Sequence, residues 1–240
     1  MADRIRLDGK VAVVTGAAGV IGTATIKLLA ARGARIVAVD RNAGQLEAAI
    51  KDLPASAEAF AITADVTQED EVAGYVRAAM EKFGAVDVFY NNAGIEGEIT
   101  PIVRYPLETF RRVLEVNVVA VFLGLKHVLP VMLQQNRGSI INTASIAGLI
   151  GSPDIAPYTA SKHAVIGLTK VAAIECTNTA VRVELRLSRP DRQPDAERDR
   201  RGPQHRQCAG ADRQGRRPRP GAPARPCERG RLGGGISRVR

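Results

Sequence analysis

Cysteine is scarce: the 240 residues hold Cys176, Cys208 and Cys227 and no others. No two stand at C-x-x-C spacing, so they make neither a disulfide framework nor a zinc finger, and a reducing, cytoplasmic setting is the simpler expectation. Histidine is equally thin. His127, His163 and His205 share no metal-ligand spacing, and His163, next to Lys162, points to another helix face, so no metal site is expected. Long hydrophobic runs are missing too. The longest, near Val118 to Leu125, is far short of the roughly 18 residues needed to span a bilayer. The N-terminus MADRIRLDGK is charged, and the apolar stretch after it is broken at Thr15 and Gly16, too early for the core of an export signal. The expected protein is cytoplasmic, with no membrane partner.

What is there is a core. Hydrophobic residues make up 45% of the chain, enough to bury the interior of one or two domains. The formal net charge of +9 is unevenly placed: Met1 to Val183 carries 18 residues of each sign, so 16 of the 34 basic and 7 of the 25 acidic residues follow it. All 16 late bases are Arg, and after Val183 there is no Lys, Phe, Tyr, Met, Asn or Thr. Body and tail therefore have to be read separately.

In the body, short β-branched runs alternate with longer amphipathic stretches, the pattern of a parallel α/β sheet. Strands are expected at Val11 to Val14, Arg35 to Val39, Ala59 to Thr63, Val86 to Tyr90, Ser139 to Asn142 and from Val181 onward. Helical patterns separate them. The stretch from Phe110 to Gln135 is apolar on more than one face, so a long helix is expected there, sandwiched between the sheet and something else, a subunit partner being one candidate. Phe122, Leu123, Leu125 and Val128 read as core or interface.

Chemistry is concentrated at the ends of the expected strands. VAVVTGAAGVIG, Val11 to Gly22, reads as strand, glycine-rich turn and helix start, where backbone amides can approach a pyrophosphate at the positive end of the helix. Tight strand–helix packing alone can also call for such glycines. Asp40 ends the next strand about 20 residues on, where a carboxylate accepts from both ribose hydroxyls and repels a 2′-phosphate. A cap for a helix from Arg41 to Ile50 is its plainer alternative. Asp65-Val66 and Asn91-Asn92-Ala93-Gly94 follow the third and fourth strands at the carboxyl edge, as ligand contacts or as loop caps. Tyr158 and Lys162, four apart, share a face on a helix, where an ammonium stabilises a phenolate; a surface Tyr beside a solvated Lys has the same spacing.

Together these motifs resemble the classical short-chain dehydrogenase/reductase family, from about Lys10 to Val183. The marks are TGAAGVIG from Thr15, Asp40, Asp65-Val66, NNAG from Asn91, Asn117 in EVNVVAVF, Ser145 in INTASIAG, and YTASK from Tyr158, thirteen positions after Ser145. The resemblance implies a Rossmann-type doubly wound parallel sheet, here incomplete at its C-terminal end, and an NAD-dependent oxidoreductase acting on an alcohol or ketone. It implies a catalytic set of Asn117, Ser145, Tyr158 and Lys162. Tyr158 would be the general acid/base, Lys162 would lower its pKa and hold the nicotinamide ribose, Ser145 would bond the reacting oxygen, and Asn117 would position a water linking Lys162 to solvent. Plainer roles exist for two of them: a strand-end cap for Ser145 and a buried amide satisfied by backbone for Asn117. NAD contacts would come from Gly16, Gly19, Ile21, Gly22, Asp40, Asp65, Val66, Asn92, Ala93, Gly94, Tyr158 and Lys162. Homodimers or homotetramers are usual in such a family but lean on C-terminal elements. One departure is Val20, which stands at the family's middle glycine of TGxxxGxG, where its side chain is expected to crowd the pyrophosphate.

The family would continue from Arg-Val with Asn and a Pro-Gly turn, but here Glu184 opens an Arg/Pro/Gly-rich run. The expected division is therefore a dinucleotide-binding domain over 1–183 and a disordered tail over 184–240. A nucleic-acid-binding arm, a flexible linker and out-of-frame coding sequence compete as its origin. An allowed codon string for Val183 to Pro203, with the first base of its second codon deleted, translates as NSVCPGPIDNRMLNAIEEG, which restores Arg-Val-Asn and the Pro-Gly turn. The same shift over Pro226 to Leu232 gives LASEDG. A basic arm has no reason to encode these motifs, so the frame reading outweighs nucleic-acid binding.

Overall fold

The computed structural model describes residues 6–188. Over them the chain builds six strands in one parallel sheet: β1 Val11–Thr15, β2 Arg35–Asp40, β3 Ala59–Thr63, β4 Val88–Asn91, β5 Gly138–Ser145 and β6 Val181–Ser188. Their order is β3-β2-β1-β4-β5-β6. Chain order reverses direction at β1, which opens a crevice between the carboxyl ends of β1 and β4 where such sheets take their ligands.

Helices cover both faces. On one, α1 Val20–Ala31 and α2 Ala43–Lys51 bury Ile26, Ala30, Leu46 and Ala49 against Ala12, Val14, Ile36 and Ala38. On the other, α3 Glu69–Phe83, α5 Ala120–Gln135 and α6 Ala156–Glu175 pack on Val11, Val13, Val37, Val39, Phe89 and Ile140. The inner strands are buried on both faces, which is why β1 and β2 read as unbroken apolar runs rather than alternating ones.

The expected long helix is present but not uniform. It starts as α4, Leu107–Leu114, passes through a π-helical turn at Glu115–Val119 and continues as α5 past Pro130. By length and composition Leu107–Gln135 could cross a membrane, yet half of its apolar window is buried in the fold, as in a core helix. Phe122 and Leu133 face away from the sheet and are exposed.

β5 runs three residues past its expected end, to Ser145, and two other strand boundaries differ from the sequence expectation. β4 starts at Val88 because Asp87, just before it, is occupied at the opposite edge of the sheet. Its carboxylate accepts from the Val11 amide at 3.0 Å, from Arg137 Nε at 3.0 Å and from Lys10 Nζ at 3.3 Å. Burial pushes the Asp87 carboxyl up, but these donors outweigh it and hold the group below its ordinary value. The second difference is at the far end. β6 continues through Glu184, Leu185, Arg186, Leu187 and Ser188, all paired with β5, so five residues expected in the tail belong to the sheet. Residues 189–240, the rest of that expected tail, lie outside the described residues, as do Cys208 and Cys227. Cys176 is buried, and burial raises its thiol pKa, as suits an unreactive packing residue.

Candidate active site

The glycine-rich turn is held by its own packing. Gly16 adopts φ +63°, and a Cβ there would lie 2.9 Å from Ala93 Cα; a Cβ on Gly22 would run into the Gly16 carbonyl. Glycine at these two positions is what lets the first turn of α1 close down on β1 and on the NNAG loop. Gly19 is the N-cap of α1 in ordinary extended geometry. Val20, expected to crowd a pyrophosphate, does not face that way. It is 89% exposed and, with Ala24 and Leu28, lines a groove between α1 and the sheet residues Val88, Tyr90 and Ile141.

Asp40 ties this turn to the end of β2. Its Oδ2 accepts from the Ala18 amide and its Oδ1 from the Asn42 amide, both at 3.0 Å. It is not the cap of α2: Asn42 is, accepting from the Gln45 amide at 3.1 Å. Asp40 lines a cavity of about 110 Å³ with Gly16, Asp65, Val66, Ala93 and Gly94. Asp65 accepts from the Thr67 amide and hydroxyl. Burial raises the Asp65 pKa, but those two bonds and the positive charges of Arg112 and Arg41 bring it below the ordinary value.

Arg41 and Arg112 line the same cavity, and the sequence reading missed both. Arg41 was adjacent to a named residue; Arg112 arrives from α4, and no linear signal marks it.

Asn92 staples three strand ends. Its Nδ2 donates to the Thr15 carbonyl at 3.1 Å and its Oδ1 accepts from Thr143 Oγ1 at 3.3 Å, while Thr15 Oγ1 accepts from the Asn92 and Ala93 amides. The carboxyl ends of β1, β4 and β5 are thereby locked at one level.

Tyr158 and Lys162 stand on the first turns of α6, as the spacing required. Lys162 is 4% exposed, donates to the Thr143 carbonyl at 2.9 Å, and lies 5.4 Å from the centre of the Tyr158 ring. Burial without a carboxylate partner pushes its ammonium down to about 8. Ser145 ends β5 and does cap the following turn, accepting from the Ala147 amide at 3.3 Å. Asn117 sits in the π-helical turn, fully buried. Its Oδ1 accepts from the Ile95 amide at 2.8 Å and its Nδ2 donates to the Ile95 carbonyl at 2.8 Å and to Ser161 Oγ at 3.0 Å. Ser145 is thus a strand-end cap and Asn117 a buried amide satisfied largely by backbone. Gly94 stands against Asn117 and Lys162 together, since a Cβ there would lie 3.2 Å from Asn117 Oδ1 and 3.7 Å from Lys162 Nζ.

Ser145, Tyr158 and Lys162 open on a second cavity of about 500 Å³, also lined by Ile21 and Asn92. Its lining includes the apolar Ile146, Ile150 and Ile155, and Ser188 from the end of β6. Gly94 and Ile95 line both cavities, which therefore run side by side along the carboxyl edge. A dinucleotide fits this donor set: a glycine turn without side chains, a helix N-terminus, a carboxylate at one end and a Tyr/Lys pair at the other. Among the described residues no three His, Cys, Asp or Glu side chains gather around one point.

Comparisons with known proteins agree with this arrangement. The short chain dehydrogenase family model matches residues 10–186. Levodione reductase of Leifsonia aquatica is 39% identical over 181 residues, covering 74% of this chain and 68% of its own. Cyclohexanol dehydrogenase of an Acinetobacter species is 38% identical, covering 74% and 71%. Among solved structures, an NAD+-bound xylitol dehydrogenase superposes with a TM-score of 0.74 at 40% identity, over 77% of this chain and 72% of that one. The match spans the same stretch as the sheet, its cavities and the Tyr158–Lys162 pair, and the chain belongs to the short-chain dehydrogenase/reductase family of oxidoreductases.

Proposed function

We propose that the protein transfers a hydride between NAD(H) and a secondary alcohol or ketone. The observation that carries this reading is the convergence of Ser145, Tyr158 and Lys162 on one cleft beside the glycine turn. Bound NADH would supply the hydride. In the reducing direction Tyr158 gives its hydroxyl proton to the carbonyl oxygen as the carbon is reduced, and takes it back in the oxidising direction. The Ser145 hydroxyl, which lines the same cleft, holds that oxygen. Lys162, which lines the same cleft, would support proton transfer at Tyr158 by its charge and hold the ribose next to the nicotinamide. Asn117 holds Ile95 and Ser161, and so fixes the wall between the two cavities and the helix that carries Tyr158.

Asp40, with Gly16, Asp65, Val66, Ala93 and Gly94, would take the adenosine end, and Gly19, Ile21, Gly22 and Asn92 the stretch between. Ile146, Ile150 and Ile155 suit an apolar carbonyl compound, and relatives named for cyclohexanol and levodione accord with that. The test is oxidation of NADH by the full chain with a cyclic ketone such as cyclohexanone or a decalone, followed by absorbance. Turnover in the wild-type chain that disappears in Tyr158→Phe is expected. Ketone-independent NADH binding with no turnover across a panel of ketones and alcohols would overturn the reading.

A further inference from the structure

Two loops flank the cleft that holds Tyr158. Ile95 and Glu96 line it from the loop between β4 and α4, and Ile150, Ser152 and Ile155 line it from the loop between β5 and α6. Each loop is tied to the helix that follows it. Asn117 holds both backbone groups of Ile95, the Tyr105 hydroxyl accepts from the Glu98 amide at 2.8 Å, and Thr109 Oγ1 donates to Glu98 Oε1 at 2.8 Å. On the other side the Thr159 amide donates to the Ile155 carbonyl at 3.0 Å. Among the described residues one hydrogen bond joins the two loops: the Thr100 amide donates to the Asp154 carbonyl at 2.8 Å. That bond depends on an uncommon backbone angle. Asp154 has φ +65°, in the left-handed region, which among the described residues only Asn136, at the end of α5, shares without being glycine. It is the second residue of the turn Pro153–Asp154, at the place where a type II turn prefers Gly or Asn. Its side chain is exposed, so the position calls for the angle and not for the carboxylate. A short polar residue tolerates this angle, whereas a β-branched one leaves it and takes its carbonyl off Thr100.

We propose that Asp154 is a positioning residue that sets the width of the substrate cleft, through the bond its left-handed carbonyl takes from Thr100. The inference rests on the reading of this cleft as the ketone site. It gives Asp154 no contact with substrate or cofactor. Strain of this kind beside a cleft persists where the surrounding structure uses it, and here it keeps Ile150 and Ile155 at a fixed separation from Ile95. With the loops joined, a compact ring meets both walls. With the bond lost the loops part, and a small substrate touches one wall at a time, whereas a bulkier ketone still spans the gap. Tyr158 on α6 and Ser145 on β5 keep their places in either case, because neither is held by this bond. The effect therefore falls on substrate binding, which raises KM, and not on the chemical step.

Steady-state kinetics of the full chain with cyclohexanone and with a decalone, together with hydrogen exchange at the Thr100 amide, test this. In Asp154→Val the KM for cyclohexanone should rise about three- to tenfold, what leaving roughly one methylene group of the substrate unburied costs, while kcat stays within about twofold. The KM for the decalone should rise less. Thr100→Pro, which removes the donor from the other loop, should reproduce both results. Asp154→Gly and Asp154→Asn keep the left-handed angle and should restore the wild-type values. Exchange at Thr100 should be slow in the wild type and in the Gly and Asn variants, and fast in Asp154→Val. No turnover of any ketone by the wild type would overturn the functional reading and this inference with it. Wild-type turnover with an unchanged KM in Asp154→Val would overturn the inference alone, as would a parallel loss of kcat, Thr100 exchange indifferent to the Val substitution, or equal KM shifts in the Gly, Asn and Val variants, which would place the effect in the carboxylate.

Discussion

The Lys162 ammonium lies 5.4 Å from the centre of the Tyr158 ring, one helical turn away, and its hydrogen bond goes to the Thr143 carbonyl rather than to any carboxylate. Its charge is therefore not cancelled, and the phenol is the acidic group within reach of it. Replacing Tyr158 by Phe removes the hydroxyl and little else. Turnover should fall by about 10²- to 10⁴-fold, while NADH affinity, read by fluorescence titration, should stay within about tenfold of wild type, since a lost neutral hydrogen bond is typically worth about 0.5–1.5 kcal/mol. Retention of a tenth of the activity in the Phe variant would remove Tyr158 from the proton-transfer role.

Lys162 itself should trade stability for function. Burial lowers its ammonium from 10.5 to about 8. Between these values the unfolded chain holds a proton that the folded chain releases, so the stability due to this group is greatest above about pH 10.5 and is lost as pH falls to about 8. Lys162→Met should abolish turnover. It should also flatten that part of the pH dependence: denaturant midpoints measured from pH 7.5 to 10.5 should rise with pH in the wild type relative to the variant. Parallel curves for the two proteins would mean that the buried ammonium is not the source.

Much of this site could be read in the linear chain because the residues that form it come in short local motifs at strand ends. Asp40 ends β2, the NNAG loop starts on the last residue of β4 and Asp65 follows β3 by two residues, and Tyr158 and Lys162 lie within about one turn of one helix. What could not be read came from elements crossing over one another. Arg112 enters the Asp40 cavity from α4, and Ile95 separates the two cavities only because Asn117, more than twenty residues away, holds its backbone. Ser188 lines the cleft from a stretch whose composition argues against any packed structure. Five residues there are carried into the sheet by backbone pairing with β5, which composition does not report. The direction of the Val20 side chain was equally invisible, since it depends on where α1 starts relative to the turn.

The two arginines sharpen what Asp40 should do. Its carboxylate shares one small cavity with Arg41 and Arg112, so removing it leaves positive charge where a 2′-phosphate would sit. NAD should bind more tightly than NADP in the wild type, because the carboxylate accepts from the ribose hydroxyls and repels the phosphate. Asp40→Ala should narrow that preference and shift it toward NADP, and adding Arg41→Ala should take away the gain. Calorimetric titration of both cofactors against the three proteins gives the comparison. Tighter NADP binding by the wild type would show that the arginines, and not Asp40, dominate the cavity.

Gly22 serves packing in the turn, and Gly19 does not. A methyl group on Gly22 meets the Gly16 carbonyl and the Ala17 backbone, neither of which can yield without moving β1 from α1. A methyl group on Gly19 meets the Gly16 carbonyl at 3.4 Å, ordinary contact, and Gly19 has φ −73°, which any residue adopts. Gly22→Ala should therefore cost about 1–3 kcal/mol, in the range of overpacked cores, seen as a lower denaturant midpoint at unchanged slope. Gly19→Ala should stay within about 0.5 kcal/mol of wild type. Val20→Gly should not improve NAD binding, because the side chain it removes points to the groove beside Leu28 and not toward the glycine turn. A several-fold gain in NAD affinity on removing that side chain would mean that Val20 turns inward when the cofactor arrives, and that the resting turn is not the binding conformation.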